Sequence, residues 1–553
     1  MKFEMRVGGR RFSVEENIVD RAIRFLDPAR ANGRARARMA AAVAGGYIGA
    51  STSRRPTLSW MAQKGDADAV ILYDLPTLRE RSRDLMRNAP LAAGAVNTVV
   101  TNAVGTGLKL KSQIDREVLN LTEEQADAWE AQTEREWRLF FDTPECDLAR
   151  TLRGADQQEL VLRQTLENGD VFVLMPNLVR PGSPYGLKLQ VVEGDRICNK
   201  DGSKDSPTLA GGVERDKNGA PVAFHILNQH PGSVFSRTGE RSWTVVQAFG
   251  KTGRRNVIHL FKTLRPGQSR GVPYLAPVIE PLKQLDRYTE AEVMAAVVSG
   301  MFTVFVKSET GGTGLSPMEP AAETGGKDAD EDFKLASGAI LNLAKGEEIQ
   351  SANPTRPNAG FDPFVMAVLR QIGVALELPF EVLVKHFTAS YSAARAALLE
   401  AWRFFRSRRE WLAANFCQVV YENWMDEAVA LGRVKAPGYF ADPLLRKAYL
   451  GTDWIGDAQG QIDPVKEISA AEKRIQLGVS TVTEETAAIT GGDFERNVPL
   501  IKKERRMLKE AGLSGSATTA QPADPGKANG ASPPGGKPEA YEDEDQPERG
   551  DAS

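Results

Sequence analysis

The stretch Ser392–Leu431, SAARAALLEAWRFFRSRREWLAANFCQVVYENWMDEAVAL, decides how the chain is read. It contains neither Gly nor Pro, so nothing in it interrupts a helix. Leu398, Trp402, Phe405, Leu412, Phe416 and Val419 hold one stripe, while Arg403, Arg406, Arg408 and Arg409 cluster mostly off it. Gly432 is a natural stop. At 1.5 Å per residue such a helix spans ~60 Å, or bends within that length, whereas the mean helix has only ~11–12 residues. That length, with broad aromatic burial, predicts an elongated subunit that packs against neighbours.

Working upstream, Val365, Leu369, Ile372 and Leu376 predict a helix that stops near Pro379. Before it come a strand-like FTVFV, a Gly-, Glu- and Asp-rich excursion from Glu309 to Asp332, and ILNL (Ile340–Leu343), read as the returning strand. A further helix follows Pro273, with Val278, Leu282, Leu285 and Tyr288 on one face, and runs to about Ser299. Between 158 and 262 the runs DVFVLM, LKLQVV, AFHIL and NVIHLF are short, β-rich and separated by turn residues. Residues 75–150 read as helical, with Trp129, Trp137, Phe140 and Phe141 on roughly one face. The pattern is α+β rather than a regular βαβ alternation.

The ends differ in character. Residues 1–60 read as a mobile basic arm: Arg21, Arg24, Arg30, Arg34, Arg36 and Arg38 face only Asp27, without sustained periodicity after Leu26. Residues 451–512 read as a small helical unit. In it Val465, Ile468 and Ile475 mark one helix, Thr481 with Glu484 caps the next, Gly491–Gly492 ends it, and a basic helix runs from about Pro499 to Gly512. Beyond Ser514 there is no Val, Ile, Leu, Met, Phe or Trp, so a disordered tail is expected over 513–553.

Composition narrows the function. The 553 residues are 41% hydrophobic and 26% charged with a net charge of -3, which argues against a basic nucleic-acid coat. Cys146, Cys198 and Cys417 show no CxxC spacing and predict no disulfide framework. The best apolar run, Ala295–Val306, is too short for a membrane span and is broken by Ser299 and Gly300. MKFEMRVGGRRF lacks a signal-peptide core, so the chain is expected to stay in a cytoplasm until assembled.

The search for chemistry is mostly negative. His225, His230, His259 and His386 sit at no metal spacing, and no GxxxxGK[ST] loop occurs. His225 and His259, inside strand signals, read as satisfied polar residues, and Asp453, Asp457 and Asp463 as loop carboxylates. Gly267-Gln268-Ser269-Arg270-Gly271 fits the GxSxG nucleophile elbow. A hydrolase needs an acid and then a histidine downstream, and only His386 lies there. The alternative is a strand-to-helix turn in which Gly267 and Gly271 relieve backbone strain.

Four blocks, in order, carry a resemblance. DLMRNAPLAAGAVNTVV (84–100), VIHLFKTLRPGQSRGVPYLAPVIEPLKQLD (257–286), LPFEVLVKHFTASYSAARAALLEAWRFFRSRREWL (378–412) and TDWIGDAQGQIDPVKEISAAEKRIQLGVST (452–481) resemble the portal proteins of tailed bacteriophages of the lambda type. The third contains Tyr391-Ser392-Ala393-Ala394-Arg395 and the last Asp453-Trp454-Ile455-Gly456. The likeness spans about Leu75 to Leu513, and the two termini cannot be matched.

The resemblance implies an elongated α+β portal subunit with an α/β wing, two-helix stem, small β-containing clip, long wing helix and helical crown. Its regions would be a basic arm (1–60), the wing (61–271), stem helices (272–299 and 360–378), the clip (300–359), a tunnel loop (379–391), the long wing helix (392–450), the crown (451–512) and the tail (513–553). It implies a homo-oligomeric ring of about twelve subunits, closed by a heterologous contact. Double-stranded DNA would pass through it non-specifically. The terminase large subunit, major capsid or scaffold proteins and neck or head-tail completion proteins would dock. No membrane, cofactor, metal or catalytic residue is implied. The place would be the capsid portal vertex of the virion, and the host cytoplasm during assembly. Lys385, His386 and Thr388 of the tunnel loop would face DNA; each channel residue recurs once per subunit, and a uniformly basic lining would trap the duplex. Trp402, Phe405, Arg406 and Arg409 are the expected subunit-interface residues. The alternatives are another ring-forming head-tail connector, a GxSxG serine hydrolase, or a sequence-specific DNA-binding protein, for which no basic recognition helix stands out before Pro499.

Overall fold

A computed structural model describes residues 2–7, 10–15, 18–43, 50, 55–57, 59–62, 64–234, 241–300, 304–308, 347–351, 360–387, 390–460 and 463–511. They group into two compact units, Met1–Gly460 and Gln461–Ser553.

The first unit begins with an antiparallel hairpin, β1 (Lys2–Val7) and β2 (Arg10–Glu15), then α1 (Ile18–Leu26) and α2 (Pro28–Val43). The stretch expected as a mobile basic arm, 1–60, holds these elements, which the sequence reading did not name. Pro28 occupies the first helical position, where its missing N–H costs nothing, and Asp27 accepts the Arg30 N–H at 3.0 Å. The Ala/Arg-rich sequence behind them favours helix without needing an apolar period.

Next come α3 (Ala67–Ile71), α4 (Leu75–Asn88) and α5 (Pro90–Ala103), the last two separated where Pro90 opens a new helix. Then follow β3 (Lys109–Ser112), α6 (Glu123–Phe141) behind a Thr122–Gln125 capping box, and α7 (Gly154–Asn168). The strands that follow are β4 (Asp170–Leu174), β5 (Gln190–Glu193), β6 (Leu209–Ala210), β7 (Val213–Arg215), β8 (Pro221–Leu227), β9 (Trp243–Gln247) and β10 (Val257–Phe261). The four β-rich runs contribute β4, β5, β8 and β10, and the three further strands, which the sequence reading did not name, lie between them. Together they form two antiparallel sheets, ordered β10-β4-β5 and β6-β7-β8-β9.

α8 (Ile279–Gly300) buries Leu282 and Leu285, and Val278 just before it is buried too. Tyr288, one turn on, stacks on Phe361. β11 (Val304–Ser308) pairs with β12 (Glu347–Ser351), so the returning strand lies later than Ile340–Leu343, which falls outside the described residues together with the Glu309–Asp332 excursion. Strand-like composition in ILNL says nothing about which segment reaches the partner. α9 (Phe361–Ala375) follows. The stretch 379–391 is not a plain loop: it holds α10 (Phe380–Val384), begun by Pro379. The long helix is α11 (Tyr391–Leu412) and α12 (Gln418–Ala430), joined without a break by a π-helical turn, Ala413–Cys417.

The helix ends at Ala430, beside the expected stop at Gly432 (φ 70), and α13 (Pro443–Tyr449) is separate. β13 (Thr452–Ile455) then pairs antiparallel with β3, matching Trp454 to Leu110. That pairing draws residues 451–460 into the first unit, so the second unit starts ten residues later than the expected 451. It comprises α14 (Pro464–Gln476), α15 (Val482–Thr490) and α16 (Phe494–Glu510). Thr481 and Glu484 make the expected capping box, and Gly491 ends α15 in the left-handed region. α16 begins before Pro499, because Asp493 accepts the Glu495 N–H at 3.0 Å and nucleates the turn.

The core of the first unit centres on Trp137, stacked on Phe141 at 4.6 Å and edge-on to Trp424 at 5.2 Å. The long helix supplies Leu412, Phe416, Tyr421 and Trp424 to it, all fully buried. Among the described residues no helix is long and apolar enough to cross a membrane.

Candidate functional site

The GxSxG match is the obvious place for chemistry, and its geometry is architectural. Ser269 is buried, its N–H 2.7 Å and its hydroxyl 2.6 Å from the Asp68 carboxylate, to which both donate. His259 instead meets Asp170, at 3.4 Å. Among the described residues no histidine bonds the Ser269 hydroxyl, neither His259 nor the downstream His386, so no nucleophile–base pair forms. Gly267 does relieve strain, with φ +77. Gly271 serves another purpose: a Cβ there would lie 1.9 Å from the Gly169 carbonyl oxygen, so close backbone packing, not φ, requires it.

Arg270 is the hub of this turn. Its Nε lies 2.6 Å from Asp170 Oδ2, and its terminal nitrogens donate to the Ile197, Gly211 and Gly194 carbonyls at 2.6–2.7 Å. Arg79 grips the same carboxylate at 2.5 Å from α4, and the Gly271 N–H adds a contact at 3.1 Å. Burial opposes the charge on Asp170, yet Arg270 and Arg79 outweigh it and hold the carboxyl well below its ordinary range. Burial pulls Arg79 down to about 10 and pushes His259 below its usual value despite Asp170, so the imidazole is neutral and stacks on Phe172 at 4.0 Å.

The expected DNA-facing residues follow α10. Lys385 ends that helix in the left-handed region (φ 55, ψ 38), and the His386 N–H donates to the Glu381 carbonyl at 3.1 Å. Both side chains are exposed, and Thr388 lies outside the described residues.

The expected interface residues differ in their exposure. Phe405 is 4% exposed within the main core, and Trp402 packs against that core with Arg409 over its ring at 5.2 Å. Arg409 donates to the Ala103 and Asn102 carbonyls at the end of α5 and to the Asp457 carbonyl, at 2.8–3.1 Å. Phe405 is buried inside the subunit, and Trp402 and Arg409, each half-buried, make these contacts within it. Only Arg406 of the four is exposed. Spacing shows that a face is buried, not which chain buries it.

Uncovered apolar residues lie elsewhere, where sequence reading did not look. Val293, Met294 and Val297 on α8 and Phe364 on α9 are each about half exposed (57%, 57%, 48% and 52%). The available signal was that apolar residues on α8 continue past Tyr288. A cavity of about 970 Å³ opens between the end of α9, α10 and α11, lined by Arg370, Val374, Phe380, Arg403, Phe404 and Arg408, among others. Arg408 lies over the Phe404 ring at 4.9 Å, and among the described residues no carboxylate reaches ion-pair distance of it. Burial lowers its pKa.

Against known proteins, residues 53–409 match the model described as phage portal protein, lambda family. The chain belongs to that family. Among its relatives, portal protein B of Escherichia phage lambda is 25% identical over 484 residues, covering 84% of this chain and 89% of the relative. The portal protein of Escherichia phage N15 is 24% identical over 485 residues, covering 83% and 90%. These relatives are named as portal proteins, structural components rather than enzymes. Among solved structures, a chain in the neck of a native gene transfer agent particle, computed with C12 symmetry, aligns with a TM-score of 0.39 at 14% identity, covering 73% of this chain and 92% of that one.

Proposed function

We propose that this family member is the portal subunit of a tailed phage. About twelve copies close head to tail into a ring at one capsid vertex, and double-stranded DNA enters and leaves through its bore. The terminase large subunit docks during packaging and neck or tail proteins afterwards, while capsid or scaffold proteins hold the rim. The observation that carries this reading is the family match over 53–409, extended by relatives aligned over more than four fifths of the chain.

The geometry supports particular roles. α8 and α9 form the stem, with Val293, Met294, Val297 and Phe364 as apolar surface left for adjacent copies. The segment between them is the clip. Lys385 and His386, exposed after α10, and Thr388 beyond them face the bore; one lysine per subunit makes a sparse cationic ring that guides without trapping. Arg406 is the part of the long helix that meets a neighbour. Negative-stain microscopy and light scattering of the purified full chain test the proposal. The expected result is a ring with a central channel and a mass of many times 60.3 kDa; a discrete monomer at micromolar concentration overturns it.

A further inference from the structure

The unit 463–511 folds into three helices that almost entirely fail to bury a core. Ala471 is the one apolar side chain buried among its described residues. Val465, Ile468, Leu477 and Val479 are 76%, 56%, 78% and 72% exposed, and on α16 Leu500, Ile501, Met507 and Leu508 are 51%, 40%, 54% and 47% exposed. A segment of this size is marginal even with a full core. The rest of the chain beyond it offers little cover: residues 512–553 contain Leu513 and Tyr541 as their only large apolar side chains.

Charge is divided within the same unit. Residues 463–495 carry seven acidic and three basic side chains, whereas 496–511 carry six basic and two acidic. Arg474 and Glu485 satisfy each other at 2.6 Å inside the first half. Among the described residues, Lys502, Lys503, Arg505 and Lys509 of α16 have no carboxylate within ion-pair distance. Each copy therefore presents an apolar, basic helix beside an apolar surface of acidic excess, in which Asp463, Glu484, Asp493 and Glu485 are already engaged in caps or the Arg474 pair. Such a molecule is complementary to a second copy of itself.

We propose that the basic part of α16, from Arg496 onward, of one copy packs on the acidic half, 463–495, of the next, so that the core of this unit is built between subunits. The contact joins two different surfaces and so propagates head to tail, the type that closes a ring. It rests on the portal reading above. Opposite charges steer the pairing, and the apolar residues provide the adhesion.

Hydrogen exchange on the full chain tests this, after light scattering has established whether it assembles. In the wild-type assembly, amides of 494–510 should exchange at least tenfold more slowly than in Ile501→Asp/Leu508→Asp, both exposed positions whose change leaves the first unit intact. Lys502→Glu/Lys503→Glu/Arg505→Glu/Arg506→Glu should lose that protection. Mixing that variant with Glu467→Lys/Glu472→Lys/Glu495→Lys copies should restore it. Rings whose 494–510 amides exchange as fast as in the variants overturn the inter-subunit core and leave the portal reading standing. Protection that appears only with anionic vesicles or duplex DNA overturns it in favour of those partners. A chain that never assembles removes both readings.

Discussion

Arg270 holds Asp170 through two contacts, Nε at 2.6 Å from Oδ2 and Nη2 at 3.2 Å from Oδ1, with both side chains essentially excluded from solvent. The pair joins the turn before α8 to the first residue of β4, and Arg79 adds α4 to the same carboxylate. A buried carboxylate is tolerated only while its cations remain. Arg270→Ala should therefore cost about 3–5 kcal/mol, the usual result of stranding a buried charge. Arg270→Lys should recover little, because an ammonium cannot serve a carboxylate and three carbonyls in one plane. Urea unfolding of the full chain measures both. Ser269→Ala should cost only ~1 kcal/mol, and Ser269 should not react with a fluorophosphonate probe.

The same cluster sets an acid limit. Asp170 is depressed, so its contribution is fully present above its unfolded value of about 3.9 and is lost as pH falls toward its lower folded value. His259 is also depressed; the unfolded chain takes up its proton below about pH 6.5 while the folded one resists, which erodes stability as pH falls. Both signs agree. His259→Gln should flatten the stability profile between pH 7 and 5, and Asp170→Asn should flatten it below about pH 4.5 at the expense of stability at neutral pH. Thermal melts across this range check the two windows; equal slopes in wild type and variants would disprove the assignment.

Phe405 and Arg406, neighbours in sequence, should separate folding from assembly. Phe405→Asp places a carboxylate in the main core and should unfold the subunit, a loss of several kcal/mol, rather than yield folded monomers. Arg406→Glu and Met294→Asp alter exposed positions and should change subunit stability by no more than about 0.5 kcal/mol while lowering ring yield. Circular dichroism with light scattering distinguishes the cases. Full ring assembly by Met294→Asp would remove α8 from the interface.

What sequence could reveal here depended on the range of the interaction. The long helix, the helix after Pro273 and the strands at 170, 223 and 257 were legible because periods of 3.6 and 2 are local. The β3–β13 ladder was not: its strands have four residues each and meet across more than three hundred positions, and Asp453 and Trp454 carry no mark of Lys111 and Leu110. Arg79 carried no signal in the sequence, Arg270 stood out only as part of the GxSxG match and Arg409 only as an expected interface residue; only tertiary structure supplies the buried carboxylate and helix-end carbonyls that pair them. Trp402 and Phe405 were recognised as buried, but the burying partner turned out to be the same chain.

Lys385 joins both levels, since backbone strain and candidate channel charge reside in one residue. Its φ of 55 and ψ of 38 put a side chain in the left-handed region at the end of α10, at a cost of about 1 kcal/mol relative to glycine. Lys385→Gly should therefore stabilise the subunit by up to ~1 kcal/mol, and Lys385→Val should destabilise it, because a β-branched side chain tolerates this conformation worst. A portal that uses the lysine on DNA should show the opposite ranking in function. Lys385→Gly, the more stable protein, should bind duplex DNA with a shallower salt dependence than wild type, and Lys385→Arg should retain the wild-type slope. If Lys385→Gly retains both the wild-type salt slope and packaging yield, the residue serves only to end α10.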